Sequence, residues 1–356
     1  MVFCTRPAPA PEVAALTVLD RLLVALHRAG CRPIHVVAPH EASRLRRAPA
    51  LGIQYTTSPV PPSLAGPVMV ASDDWLLTVA DVRAAIAKQG RLQTPTGRLV
   101  PAGVVAGLSA PIEEALAHSP AVSASTVAHE VTDPATAKAA ERALWASLTS
   151  ANDGFVDRHF NRQAGRPLSK LLIRTPVTPN QVSVCSTLIG LVAAGLFASG
   201  RPSWMIVAAL LLQLSAVIDC VDGDIARVVF NESPLGKWID LVGDQFVHIG
   251  VFVGLGVGLW RAQVDAPVLA LGLSAGLGVI ISFFVVLRSQ RMPASSQSGL
   301  LKRILNAATN RDFSVLLLLL AVIGRLDWFL WLAGVGVHVF WLLALSLTRG
   351  RPVPAS

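Results

Sequence analysis

Cysteine is scarce, and its placement rules out two common devices. The 356 residues hold four cysteines, Cys4, Cys31, Cys185 and Cys220, scattered with no CxxC pair and no metal-ligand spacing. That argues against a disulfide framework and against a cysteine-held metal. The opening residues, MVFCTRPAPAPEV, lack the basic-then-apolar pattern of a secretory leader, so the N-terminus is expected to stay in the cytoplasm. Acidic residues are in deficit, 22 against 30 Lys and Arg, for a net charge of +8. Such an excess can mark a nucleic-acid partner, but most of it lies beside long apolar runs. There Lys and Arg mark cytoplasmic loops and attract anionic headgroups, which leaves a nucleic acid little to explain.

Apolar residues are abundant and uneven. They make up 53% of the chain, the mean hydropathy is +0.56, and the long uncharged runs lie in the second half. The length allows two domains. A crossing helix needs about 20 apolar residues, and the candidates are 181–199, 203–226, 236–259, 267–287, 312–324 and 328–347. The fifth is short, and Arg325 and Asp327 set a tight turn after it. With Asn180 inside as the N-cap of the first span, the loops on that side collect Arg158 to Arg174, Arg227, Lys237, Arg288, Arg291, Lys302, Arg303, Arg311, Arg349 and Arg351. The opposite side holds Arg201, Arg261 and Arg325. The positive-inside rule therefore puts the first set in the cytoplasm. Trp204, Trp238, Trp260, Trp328 and Trp331 fall near the helix ends, as interface anchors do.

Among these runs sits DCVDGDIARVVFNESPLGKWIDLVGD, residues 219–244. Ionised carboxylates beside hydrocarbon need a partner or a purpose. On a helix, spacings of three and four share a face, so Asp219 pairs with Asp222, and Gly236, Asp240 and Asp244 line a following helix. If VVFNESPL reverses the chain, the two acidic faces meet. Such a cluster needs positive charge between its members. All-oxygen ligands favour hard cations such as Mg²⁺, Mn²⁺ or Ca²⁺, and Mg²⁺ commonly keeps open positions that substrate phosphates fill. Arg227 is placed to help hold such an anion, and Gly223 and Gly236 leave room for a ligand or a backbone. His248, one helical step beyond Asp244, is read as a buried histidine before a ligand, and Cys220 as a small apolar residue. A charged pore lining or a transporter relay could also use carboxylates in this way, though neither would require the glycines and the Ala226-Arg227 pair.

The pattern Asp219-x2-Asp222-Gly223-x2-Ala226-Arg227-x8-Gly236-x3-Asp240-x3-Asp244 resembles the complete signature of the CDP-alcohol phosphotransferases, also called phosphatidyltransferases. The resemblance implies a six-helix membrane domain with a cytoplasm-facing site. It also implies transfer of a phospho-alcohol unit from a CDP-alcohol to an acceptor hydroxyl, with release of CMP. Asp219, Asp222, Asp240 and Asp244 would then hold one or two Mg²⁺ or Mn²⁺ ions, with Asp244 also the general base. Gly223, Ala226, Arg227 and Gly236 would border the substrate. Arg288, Arg291 and Arg311 suit a phosphorylated acceptor or are ordinary cytoplasmic-side charges. A homodimer through the membrane helices is likewise implied.

The front half, residues 1–150, alternates short strands with helices and reads as an α/β domain with a mainly parallel sheet. Strand candidates are MVFC, PIHVVAP, GIQYTT and PVMVAS; helix candidates are EVAALTVLDRLLVALHRAG, a basic helix around EASRLRRA, and VADVRAAIAKQG. Asp73 and Asp74 follow a strand, where a nucleotide's metal ligand or a plain turn would sit. This half resembles a reduced, Rossmann-type nucleotidyltransferase, the domain fused to inositol-phosphate members of the family, which makes CDP-alcohols. The stretch CTRPAPAPE departs from that pattern. It has three prolines and no glycine where a phosphate-cradling loop and an activating Lys belong, leaving Thr5-Arg6 as a remnant. A repurposed or non-catalytic domain is expected, and a catalytically silent scaffold is the alternative for the whole chain. Residues 151–180 interleave Phe155, Phe160, Leu168, Leu171 and Leu172 with Arg158, Arg162, Arg166, Lys170 and Arg174, the rhythm of an interfacial helix. Asp153-Gly154, Asn161-Arg162 and Thr178-Pro179-Asn180 resemble the entry of inositol-phosphate members. The membrane domain then spans 181–349, in a cell membrane of bacterial inner type. The donor reads as CDP-diacylglycerol or a CDP-inositol-like alcohol, and the acceptor as a polyol or polyol phosphate.

Overall fold

A computed structural model describes residues 1–4, 11–38, 45–62, 64–108, 112–149, 153–265, 267–291 and 313–348. The chain divides into two units, Met1–Thr149 with Arg227–Phe230, and Ser150–Ala226 with Asn231–Ser356.

The first unit begins with β1 (Val2–Phe3), β2 (Glu12–Val13), β3 (Leu16–Thr17), α1 (Val18–Arg28), β4 (His35–Val37), α2 (Arg47–Ala50) and β5 (Thr56–Ser58). It continues through β6 (Leu64–Ser72), β7 (Trp75–Leu76), α3 (Val79–Lys88), β8 (Arg91–Gln93) and β9 (Leu99–Leu108). It closes with α4 (Ile112–Leu116), β10 (Ala121–Ser123), β11 (His129–Glu130) and α5 (Pro134–Ser147). Seven strands form one sheet in the order β10-β8-β9-β6-β1-β4-β5. Four of its pairings are parallel, and β9 runs antiparallel to both β6 and β8. The α/β alternation is therefore as expected. Leu22, Leu23 and Leu26 of α1 pack with Val36, Ile53, Val82, Leu92 and Val100 to form the core.

Two local readings change. The helix expected from Glu12 starts only at Val18, because β2 and β3 make a hairpin whose turn residues Ala14 and Ala15 have φ of +47° and +64°. The Thr17 hydroxyl then accepts the Asp20 amide at 3.2 Å and sets the helix start. The basic helix around EASRLRRA lies partly outside the described residues, and α2 begins at Arg47. Its start is capped by the buried Asp20 carboxylate, which accepts the amides of Arg46, Arg47 and Ala48 at 2.6–2.9 Å. The segment Arg227–Phe230 belongs to this unit. The Phe230 carbonyl accepts from Arg47 Nη2 at 2.6 Å, and its ring lies 5.1 Å from the Arg28 guanidinium. Arg21 is fully buried, donates to the carbonyls of Val13 and Val228, and is lowered to about 10 by desolvation.

The second unit opens with a π-helical turn (Asp157–Asn161) running into α6 (Arg162–Leu172). Next come α7 (Pro179–Phe197), α8 (Pro202–Val228), α9 (Pro234–Arg261) and α10 (Val268–Gln290). The described helices end with α11 (Phe313–Val322) and α12 (Leu326–Thr348). Five of these, α7, α8, α9, α10 and α12, are long and apolar enough to cross a membrane, and α11 is a shorter apolar helix. The expected spans coincide with them to within a few residues. The turn expected before the last helix is present, with Arg325 3.3 Å from Asp327 and stacked 4.3 Å over Trp328. The first N-cap is Thr178 and not Asn180: Thr178 and Gln181 form a reciprocal capping box, and Pro179 occupies the first helical turn. Phe197, Val251, Leu255, Leu317 and Leu330 centre the helical core.

Candidate functional site

The chain reverses between α8 and α9 over five residues, as expected from VVFNESPL. Asn231 donates its amide back to the Ala226 carbonyl at 2.7 Å, and Ser233 caps α9 by accepting the Gly236 amide at 2.9 Å. The reversal sets the two acidic faces against each other. Asp219 and Asp222 of α8 and Asp240 of α9 each offer a carboxylate oxygen, and these oxygens lie within 4.8 Å of one another. Asp222 is buried and accepts a hydrogen bond from the Ser183 hydroxyl of α7. Three hard-oxygen donors from two helices, one of them oriented by a neighbouring hydroxyl, fit a hard divalent cation.

The other motif residues lie on the same two helices or beyond them. Gly223 lies on α8 between Asp222 and Asp224, and Ala226 follows one turn later. Arg227 is exposed on the last turn of α8. A Cβ at Gly236 would sit 2.6 Å from Asn180 Oδ1 at the start of α7, so a larger residue there would have to displace that side chain. Asp244 lies one turn past Asp240, and among the described residues it is not in the three-carboxylate group. It lines a cavity instead, together with Gln245 and His248. The His248 ring packs 5.2 Å from Phe313, in keeping with a core histidine at the cavity wall. Arg288 and Arg291 are exposed at and just beyond the end of α10. Arg311 lies outside the described residues, as do Thr5 and Arg6.

A second polar cluster joins Asp153, Asn161 and Arg162, all noted in the sequence, to Asp224, which was not. Arg162, at the start of α6, donates to Asp224 of α8 at 2.6 Å and to both carboxylate oxygens of Asp153 at 2.8 and 3.1 Å. Asp224 is 1% exposed, so this is a buried charge held by charge. Burial works against the Arg162 charge; the hydrogen bond to Asp153 and the charge of Asp224 outweigh it and raise its pKa. Asn161 extends the cluster: it accepts from Gln213 at 2.6 Å, and Gln213 in turn accepts from Ser314 at 2.8 Å. Gly165 lets α6 settle on α8, where a Cβ would come within 3.1 Å of Val217 O. The available signal was Asp224 itself, a further carboxylate in an apolar helix.

In the first unit, Asp73 and Asp74 form the turn between β6 and β7. Burial first, then Asp73, pushes the nearby Cys4 thiol up to about 12, which removes it as a nucleophile at neutral pH.

Residues 176–348 match the CDP-alcohol phosphatidyltransferase family. The family region takes in α7 through α12 and so contains the whole carboxylate cluster. Among curated relatives, a bifunctional IPC transferase and DIPP synthase of Thermococcus kodakarensis is 35% identical over 140 residues, which is 39% of this chain and 30% of that one. A phosphatidylinositol phosphate synthase of Mycobacteroides abscessus is 27% identical over 154 residues, 42% of this chain and 67% of that one. The chain thus spans about a third of the length of the bifunctional relative. A crystal structure of Mycobacterium tuberculosis phosphatidylinositol phosphate synthase in apo form aligns with a TM-score of 0.42 at 20% identity, covering 52% of this chain and 95% of that one.

Proposed function

We propose that the protein is an integral-membrane phosphotransferase that moves a phospho-alcohol unit from a CDP-alcohol to an acceptor hydroxyl and releases CMP. The observation that carries this reading is the meeting of Asp219, Asp222 and Asp240 within 4.8 Å, inside a phosphatidyltransferase domain. Those three would hold a divalent cation, Mg²⁺ or Mn²⁺, which when bound neutralises the diphosphate and the charge developing on the leaving group.

The remaining roles fall to the chain's own residues. Gly223, Ala226 and Arg227 border the cytidine diphosphate, with Gly236 leaving the space and Arg227 pairing with phosphate oxygens. Asp244 takes the proton from the acceptor hydroxyl as its oxygen attacks the β-phosphorus in line. The new P–O bond forms on the acceptor as the bond to the α-phosphate breaks, and CMP carries away the electron pair. Arg288, Arg291 and Arg311 are available to substrate anions on the same side. By the charge distribution of the loops, this face is cytoplasmic in a bacterial inner membrane, and six helices, α7 to α12, make up the domain. The exposed Phe155, Phe160 and Leu171 of the α6 region suit a membrane surface. The front unit is read as a reduced nucleotidyltransferase fold, and the working protein as a homodimer. CDP-diacylglycerol and CDP-inositol are the first donors to be tried.

The test is CMP release. Purified protein in lipid vesicles is given Mg²⁺, a panel of CDP-alcohols and a panel of hydroxyl acceptors. Release that needs both substrates and stops with EDTA supports the reading. Protein that is folded yet releases no CMP from any pair contradicts it.

A further inference from the structure

The end of α8 and the turn after it, Arg227–Phe230, belong to the first unit, and three arginines of that unit hold them. Arg21 of α1 donates Nη1 to the Val228 carbonyl at 2.8 Å, while its Nε and Nη2 bind the carbonyls of Val13 and Ala14. Arg47 of α2 donates Nε and Nη2 to the Phe230 carbonyl at 3.1 and 2.6 Å, and Arg28 Nη2 reaches the same oxygen at 3.4 Å. The Phe230 side chain packs against the first unit's apolar core. The Arg28 and Arg21 guanidinium groups lie 5.1 and 5.7 Å from its ring centroid, within range of the attraction between a cation and an aromatic face.

A helix ends in carbonyls without intrahelical partners and with partial negative charge, which water or one lysine can satisfy. Three arginines from two helices do more, because they converge on two carbonyls and one ring and so fix where the turn lies. Phe230 has a φ of +56°, a left-handed conformation that a bulky residue keeps only when its surroundings impose it. The grip is itself anchored. Asp20, next to Arg21 in α1, accepts the amides of Arg46, Arg47 and Ala48 and so fixes the start of α2. The acidic faces stand equally far from the turn. Asp222 lies six residues before Val228 and Asp240 six after Pro234, about 9 Å of helix in each case. The apolar core of the helical unit includes Leu212 of α8 and Val247 of α9, each seven residues from Asp219 or Asp240 on the side away from the turn. The carboxylates therefore sit between that core and the turn. A slip of one residue moves a side chain about 1.5 Å along its helix, a large change for oxygens gathered within 4.8 Å.

We propose that the first unit serves the helical unit as a clamp on the α8–α9 turn, with Arg21, Arg28 and Arg47 as positioning residues that keep Asp219, Asp222 and Asp240 at ion-binding separation. The proposal rests on the reading of those three carboxylates as an ion site. It gives the front unit a use that needs no nucleotide chemistry of its own.

Four variants of the full chain in vesicles test it. Arg47→Met removes both Arg47 bonds to the Phe230 carbonyl, and Arg47→Lys keeps the charge and a donor. Phe230→Leu keeps apolar bulk without the ring that faces Arg21 and Arg28. Asp133→Ala removes the α5 cap of the same unit and touches none of these residues. Mn²⁺ binding is measured by electron paramagnetic resonance, beside hydrogen exchange of residues 226–236, where the Asn231 and Gly236 amides are bonded. Arg47→Met should weaken Mn²⁺ binding about tenfold or more, roughly the worth of a hydrogen bond to a charged group. Phe230→Leu should weaken it about threefold or more, for the lost cation–ring contacts. Exchange should quicken over 226–236 and stay at the parental rate over 205–215. Arg47→Lys should recover part of the affinity, Asp133→Ala should keep the parental value, and saturating Mn²⁺ should restore CMP release in Arg47→Met. Parental affinity in both Arg47→Met and Phe230→Leu, or an equal loss in Asp133→Ala, overturns the clamp and leaves the phosphotransferase intact. Should Arg47→Met not fold, parental affinity in both Phe230→Leu and Arg47→Lys overturns it as well. A parent that binds no Mn²⁺ removes the ion site and the clamp together, a failure that the parent alone reveals.

Discussion

Two aspartates two positions apart, Asp222 and Asp224, carry different loads. Asp222 faces Asp219 and Asp240 across α8 and α9, and Asp224 points instead to Arg162. The helical period separates them, and the residue types alone do not. That is why the acidic face was legible in the sequence and the Arg162 pair was not: a partner 62 positions away leaves no local spacing to read. Arg162→Met should leave the Asp224 charge buried without its closest cation and cost about 3–5 kcal/mol. Thermal unfolding in detergent measures this, and Arg162→Met with Asp224→Leu should recover most of the loss. Asp244 is tested by kinetics. Asp244→Asn should keep CDP-alcohol binding, measured by equilibrium dialysis, and lower transfer roughly 10²–10⁴-fold, the worth of a positioned base. Equal turnover in parent and variant would remove Asp244 from the mechanism.

Among elements, the apolar periodicity and the charged ends placed the spanning helices well, because a bilayer-length run admits few other structures. Their mutual packing depends on close contacts the pattern does not show. A Cβ at Gly254 of α9 would collide with the Ala194 carbonyl of α7. Gly254→Leu should therefore destabilise the helical unit by about 1–3 kcal/mol of overpacking, read as a lowered midpoint of thermal unfolding. In the first unit the sequence misplaced one start and missed β9. The hairpin before α1 turns on alanines, which carry no turn signal, and β9 contains Pro101 with Gly103 and Gly107, which read as breakers. The α5 start is better marked. Asp133 accepts the amides of Ala135 and Thr136, and these hydrogen bonds hold its pKa below the ordinary value. A depressed carboxylate adds stability above its unfolded pKa and loses it as the pH falls through the folded value. Asp133→Ala should thus lower the melting temperature near neutrality and narrow the gap to parent in acid. A gap that is constant with pH would show that the cap acts without its charge.

For the molecule as a whole, a sheet-based unit and a membrane-type helical unit follow from the uneven spread of apolar residues. The proposed reaction class rests on the family resemblance carried by eight positions at fixed offsets, and the carboxylates on two helix faces fit a hard ion. The account stands or falls on Asp219, Asp222 and Asp240 jointly holding a divalent ion that phosphoryl transfer requires. The direct measurement is Mn²⁺ binding by electron paramagnetic resonance in vesicles, run beside CMP release, for the parent and for Asp240→Asn. The account predicts one or two bound ions in the parent, with both ion binding and CMP release lost in Asp240→Asn. Unchanged Mn²⁺ affinity in the variant, or full CMP release after complete chelation, would contradict it.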